Sequence, residues 1–144
     1  MEPLVANLKT VQDCKNLAQN ALALGKPEIA EQCRKRGVQI RAEAYGAESD
    51  VQRECIEAVY AYEEVLGVKK GRHQRASRTW PMIKELGIIP AVERIVALRK
   101  PSAGFVTLEE MGLKEFAFEA VILRHPMHFS VEAVRISEAR MKVA

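Results

Sequence analysis

Five fixed positive charges, Lys69, Lys70, Arg72, Arg75 and Arg78, fall within ten residues, and no Asp or Glu occurs from Val65 to Lys84. Solvated surfaces ordinarily mix signs, so a run of one sign points to an anionic partner. Lys and Arg neutralise phosphates and release counterions, which makes such binding salt-dependent. Arg adds a planar fork that fits a phosphate or a guanine edge. Ser77 and Thr79 supply hydroxyl donors for phosphate oxygens. Trp80 has two roles open to it: stacking on an exposed base, or anchoring the segment in the core. Arg72, Arg75 and Arg78 recur every three residues and would share one side of a helix. A solvated interhelical loop, or a docking site for an acidic protein surface, accounts for the same charges.

The turn Leu86-Gly87-Ile88 directly follows this run. A helix, a glycine turn and an apolar residue form the local pattern of helix-turn-helix motifs. The second helix is expected to begin near Pro90 and to present Arg94, Arg99 and Lys100. Glu93 stands where that motif usually buries an aliphatic side chain. A second turn of the same form, around Gly112, carries Phe118 at the matching place, but its long helix is not basic. A helix-hairpin-helix phosphate clamp would need two glycines flanking the apolar residue. Ile89 and Lys114 occupy the second glycine position in the two turns, which argues against that clamp.

Other chemistry finds less support. Cys14, Cys33 and Cys55 form no chelating pair, and each lies on an expected apolar face. Free cysteine is among the most buried residue types, so a core role is expected for all three. His125 and His128 flank Pro126 in a turn, with no carboxylate or cysteine near in sequence. Glu63-Glu64, Glu109-Glu110 and Glu54 with Glu57 are carboxylate pairs of the kind helix surfaces carry. The chain has no phosphate-binding glycine loop ending in Lys-Ser/Thr, no nucleophile elbow and no His-Glu-x-x-His. We therefore expect no enzyme, no cofactor and no metal; a metal-dependent enzyme built from scattered carboxylates is the third-ranked reading.

The elements that must position the basic run read as helices throughout. Thr10 with Asp13 caps a first helix, whose inward face is Cys14, Leu17, Ala18 and Ala21, and Gly25 stops it. Pro27 opens a second helix, with Ile29, Ala30, Cys33, Gly37 and Ile40 inward and its end at Gly46. Ser49 with Gln52 caps a third, with Val51, Cys55, Val59, Tyr62 and Leu66 inward and its end at Gly67. Residues 83–101 and 108–126 share six of nineteen positions at an offset of 25, including Gly87/Gly112 and Pro101/Pro126. Thr107 with Glu110 is expected to cap the second copy, and a last helix to start at Ser130, with Val131, Val134 and Ile136 on a partly apolar side. Gly104-Phe105-Val106 is the sole strand candidate.

The expectation is an all-α chain: a three-helix bundle or hairpin array, then two helix-turn-helix-like hairpins and a C-terminal helix. Charge divides it at 67/68. Residues 1–67 carry 8 basic and 11 acidic groups, residues 68–101 carry 9 and 2, and residues 102–144 carry 5 and 6. The two parts, 1–67 and 68–144, are expected to form one compact domain, a scaffold and a basic region. With 48% apolar and 28% charged residues, the composition is that of a globular protein. Three cysteines and an N-terminus without a basic, apolar leader point to a reducing, cytoplasmic setting.

The favoured function is a non-enzymatic nucleic-acid-binding accessory or regulatory protein, with DNA the first choice. Lys69, Lys70, Arg72, Arg75, Arg78, Trp80, Arg94, Arg99 and Lys100 are its expected contacts. The alternative is an adaptor or inhibitor whose residues 1–67 meet a protein partner or a second copy, through Tyr45, Tyr60 and Tyr62. No membrane partner is expected.

Overall fold

In a computed structural model of the chain, residues 1–98 and 103–143 are described. The described residues are helical and contain no strand: α1 (Pro3–Ala6), α2 (Val11–Ala23), α3 (Pro27–Tyr45), α4 (Asp50–Lys70), α5 (Thr79–Leu86), α6 (Ile88–Leu98), α7 (Ala103–Glu110), α8 (Phe118–Arg124) and α9 (Val131–Val143). Short 3-10 turns precede and follow α8, at Lys114–Phe116 and Pro126–His128. The chain divides into two compact units, Met1–Gly46 and Ala47–Ala144.

The first unit is a helical hairpin, α2 against α3, with α1 lying on α3. Thr10 Oγ1 accepts the Asp13 N–H at 3.0 Å, as the cap pattern requires. At the other end of α2, Gly25 takes φ 71°. The Lys26 N–H then reaches Ala21 O at 2.8 Å and the Gly25 N–H reaches Leu22 O at 3.1 Å, the paired bonds of a Schellman stop. Val5, Cys14 and Cys33 form the core, covered by Leu8, Leu17, Ala18, Ile29 and Ile40. Arg36 extends across to donate through Nε to Leu8 O at 3.1 Å, which fixes the segment after α1 on α3. The sequence pattern does not indicate α1, a single turn begun by Pro3.

The second unit is organised around α4, whose buried residues include Val51, Cys55, Ile56, Val59 and Val65. α6, α7, α8 and the 3-10 turn at Lys114–Phe116 all pack on it. Ser49 Oγ accepts the Gln52 N–H at 3.2 Å and starts the helix where expected. The helix does not end at Gly67; it continues to Lys70 and stops at Gly71, φ 72°. The charge division at 67/68 and the packing division at 46/47 therefore separate different things. α4 is acidic, yet its apolar face belongs with the basic half.

Several local expectations are corrected. Gly104-Phe105-Val106 is helical, inside α7. Thr107 is no cap; it sits within α7, where its carbonyl accepts the Met111 N–H at 2.9 Å. α6 starts at Ile88, two residues before Pro90. The two glycine turns differ as well: after Gly87 the helix resumes at once, whereas after Gly112 the chain makes a 3-10 turn before α8. α9 begins after Ser130 as expected, but Val131 is exposed and the inward residues are Ala133 and Ser137. Arg140 Nη1 pairs with Glu119 Oε2 at 3.1 Å, both largely buried, and ties α9 to α8.

Ile56 is fully buried on the helix that organises the second unit. Ile56→Ala should lower the unfolding free energy of the full chain by about 3 kcal/mol, from lost transfer energy and the cavity left behind. Chemical denaturation monitored by Trp80 emission checks it.

Candidate nucleic-acid interface

The basic run begins on the last turn of α4, with Lys69 and Lys70 exposed, and continues through a non-helical segment to Arg78. Arg72, Arg75 and Arg78 therefore do not form a helical stripe, and their shared spacing carries no common face. Their position is set instead by three backbone constraints. First, the left-handed Gly71 turns the chain, and the Arg72 N–H bonds Gly67 O at 3.1 Å. Second, the returning chain runs over Gly67, where an added Cβ would meet Arg72 O at 3.3 Å. That close approach explains a glycine inside a helix, at a position that otherwise costs about 1 kcal/mol. Third, the buried methyl of Ala76 plugs the segment into the core, and Ala76 O accepts the N–H groups of Thr79 and Trp80.

The anchor for this return is Glu63. It is 3% exposed, and one carboxylate oxygen, Oε2, accepts both the Ala76 N–H at 2.8 Å and the Trp80 indole N–H at 2.7 Å. Such bonds to an ionised acceptor are about twice as strong as neutral ones. Trp80 also packs on Tyr60, ring centroids 5.1 Å apart, and carries the Arg75 guanidinium 5.3 Å above its ring. Of the two roles open to Trp80, the anchoring geometry is the one present. The expectation that Glu63 and Glu64 are both helix surface is corrected: Glu63 is buried, and only Glu64 faces outward in part. The signal lies in the sequence, since Ile56, Val59 and Glu63 follow helical spacing down one face.

Lys69, Lys70, Arg72, Arg75 and Arg78 are all exposed. Among the described residues none of the five makes an ion pair with a carboxylate. Arg94 is exposed on α6, while Arg99 and Lys100 lie outside the described residues. Glu93, the residue at odds with a helix-turn-helix, serves a tertiary contact instead, its carboxylate accepting the backbone N–H of Ser130. Of the three tyrosines, Tyr45 belongs to the first unit, and Tyr60 and Tyr62 to α4.

Glu54 and Glu57 on α4 pair away from the basic run. Glu54 binds Arg124 Nε at 2.7 Å through Oε1 and faces His125 Nε2 at 2.6 Å through Oε2. Sequence reading misses this cluster because its members lie about seventy residues apart. The His125 and His128 rings meet edge to face, centroids 6.4 Å apart. No group of three or more His, Cys, Asp or Glu side chains is placed to hold a metal ion among the described residues. The three cysteines are buried. Burial pushes the Cys55 thiol up to about 12, with the Glu54 charge adding to it, so this thiol is a packing group.

Burial alone would raise the Glu54 carboxyl, but hydrogen bonds from His125 and Arg124 and their charges overcome it and hold the group below its ordinary value. Folding thus favours ionised Glu54. That stability is present above the unfolded pKa and lost as pH falls through the folded one. Burial pushes Glu57 the other way, against Arg53, so its contribution has the opposite sign. Glu54→Gln should flatten the loss of stability on acidification from about pH 5 to pH 3, read from urea midpoints.

Glu63→Ala should cost about 2–3 kcal/mol, since it orphans two buried donors. Trp80 emission should shift to the red as the segment lifts away, and an unshifted spectrum would count against the anchor. No family model, curated protein or solved structure matches this chain.

Proposed function

We propose that the chain is a non-enzymatic nucleic-acid-binding protein, with DNA its foremost ligand, and that the segment Lys69–Arg78 is its contact surface. The observation that carries this reading is the division of labour at Glu63. The Ala76 N–H of the segment and the Trp80 indole just beyond it satisfy the buried carboxylate, and the segment's five cations are left exposed and without carboxylate partners among the described residues. A polyanion is the partner that such an array fits, because each phosphate neutralised releases condensed counterions. The backbone that carries the array is held in place beforehand, which lowers the ordering cost on binding. Arg94, exposed on α6, is a further cation. Three acidic side chains on α4 have other partners: Glu54 is committed to Arg124 and His125, Glu57 to Arg53, and Glu63 to the two N–H donors.

Binding is tested by fluorescence anisotropy of a labelled duplex titrated at several salt concentrations. If all five cations engage, log K should fall against log salt with a slope of about −4.5. Replacing Arg72, Arg75 and Arg78 together by Ala should reduce the slope to about −1.8 and weaken binding, with far-UV dichroism unchanged. Equal affinity and slope in the variant would refute the assignment.

A further inference from the structure

Resting on that reading, we infer that Arg75 is the leading phosphate contact of the array, and that Trp80 is its positioning residue, holding the guanidinium over the indole before a ligand arrives. The five cations are alike in sign and exposure but not in restraint. Among the described residues, the side chains of Lys69, Lys70, Arg72 and Arg78 have neither an ion pair nor an aromatic ring against them, whereas the Arg75 guanidinium lies 5.3 Å from the centre of the Trp80 ring.

Both sides of that contact are tied to one atom. Glu63 Oε2 accepts the Ala76 N–H at 2.8 Å, which fixes the backbone directly after Arg75. Arg75 O in turn accepts the Ser77 N–H at 2.9 Å. The same Glu63 oxygen accepts the Trp80 indole N–H at 2.7 Å. Tyr60 packs beside the ring, centroids 5.1 Å apart and planes tilted by 52°. The indole cannot swing away without breaking its bond to a buried carboxylate. Arg75 therefore rests on a surface that is itself held.

The kind of restraint matters. A carboxylate would also hold Arg75, but it would neutralise the charge and occupy N–H donors. A ring attracts a cation through its quadrupole. That leaves the full charge and the N–H donors of the guanidinium for a phosphate. An arginine side chain loses much rotamer freedom when it grips a ligand. At Arg75 part of that loss is already taken in the free protein, and the planar fork then meets two phosphate oxygens together. Lysine at this position would keep the charge but lose the fork and weaken the ring contact. Arg72 and Arg78 carry the fork without the ring, so they separate the two effects.

The test uses the full chain and one labelled duplex, followed by fluorescence anisotropy at a low and a moderate salt concentration. Arg72→Lys, Arg75→Lys and Arg78→Lys are compared singly. Each keeps the number of charges, so the salt slope should match that of the unsubstituted chain in all three. Arg75→Lys should bind about three- to fivefold more weakly, with Arg72→Lys and Arg78→Lys staying within about twofold. Trp80→Leu removes the ring and keeps every cation. In that background, with far-UV dichroism confirming the helices, Arg75→Lys should weaken binding no more than Arg72→Lys does. Equal losses for the three single variants overturn the inference while nucleic-acid binding stands. So does a larger loss at Arg75 that persists after the ring is removed. If the unsubstituted chain binds no duplex even at low salt, the proposed function itself fails, and this inference with it.

Discussion

One oxygen atom, Glu63 Oε2, decides the shape of the basic segment. Without it the chain from Gly71 to Arg78 would depend on the fold-back over Gly67 and on the buried Ala76 to define its path. With it, a backbone amide and an indole are drawn to the same buried point, 2.8 and 2.7 Å away. A buried carboxylate must be compensated, and the nearest positive groups in sequence are the cations of the basic run itself. The molecule uses uncharged N–H donors instead. That choice satisfies the carboxylate and leaves the guanidinium and ammonium groups facing water. The surface charge therefore follows from how a buried charge is compensated.

The same logic extends along α4. Its carboxylates look like an acidic helix in sequence, yet Glu57 and Glu63 are among the few buried polar groups of the chain. Glu54 clamps the end of α8 through Arg124 and His125, Glu57 takes Arg53, and Glu63 takes the segment before α5. Three of the eleven acidic residues in the first half therefore serve as connectors inside the second unit. Overlapping roles of this kind make net charge by sequence half a poor guide to surface potential.

Much of the helical framework is legible because it depends on neighbours in sequence. The caps at Thr10 and Ser49 and the stop at Gly25 need only residues within one turn, and all three are present as read. The all-helical class follows from the same local signals. Several misreadings share one cause: the deciding group lies beyond the local turn. Gly67 reads as a stop because glycine ends helices, but here its bare Cα accommodates the returning Arg72 carbonyl. Glu93 looks like a flaw in a motif until Ser130 supplies its partner. Glu54 and His125 cannot be paired by inspection, and the burial of Glu63 is visible in its spacing but not in its chemistry.

The start of α9 shows what such a distant partner does for a helix terminus. In an ordinary capping box the residue three places into the helix returns to the amide of the cap. Here that place is Ala133, which cannot, although its N–H bonds Ser130 Oγ at 3.1 Å as in such a box. The returning carboxylate comes from Glu93, thirty-seven residues upstream. The C-terminal helix is thus completed by a group it does not own. Full support of its first turn therefore requires α6 in place, which couples the start of this helix to tertiary packing.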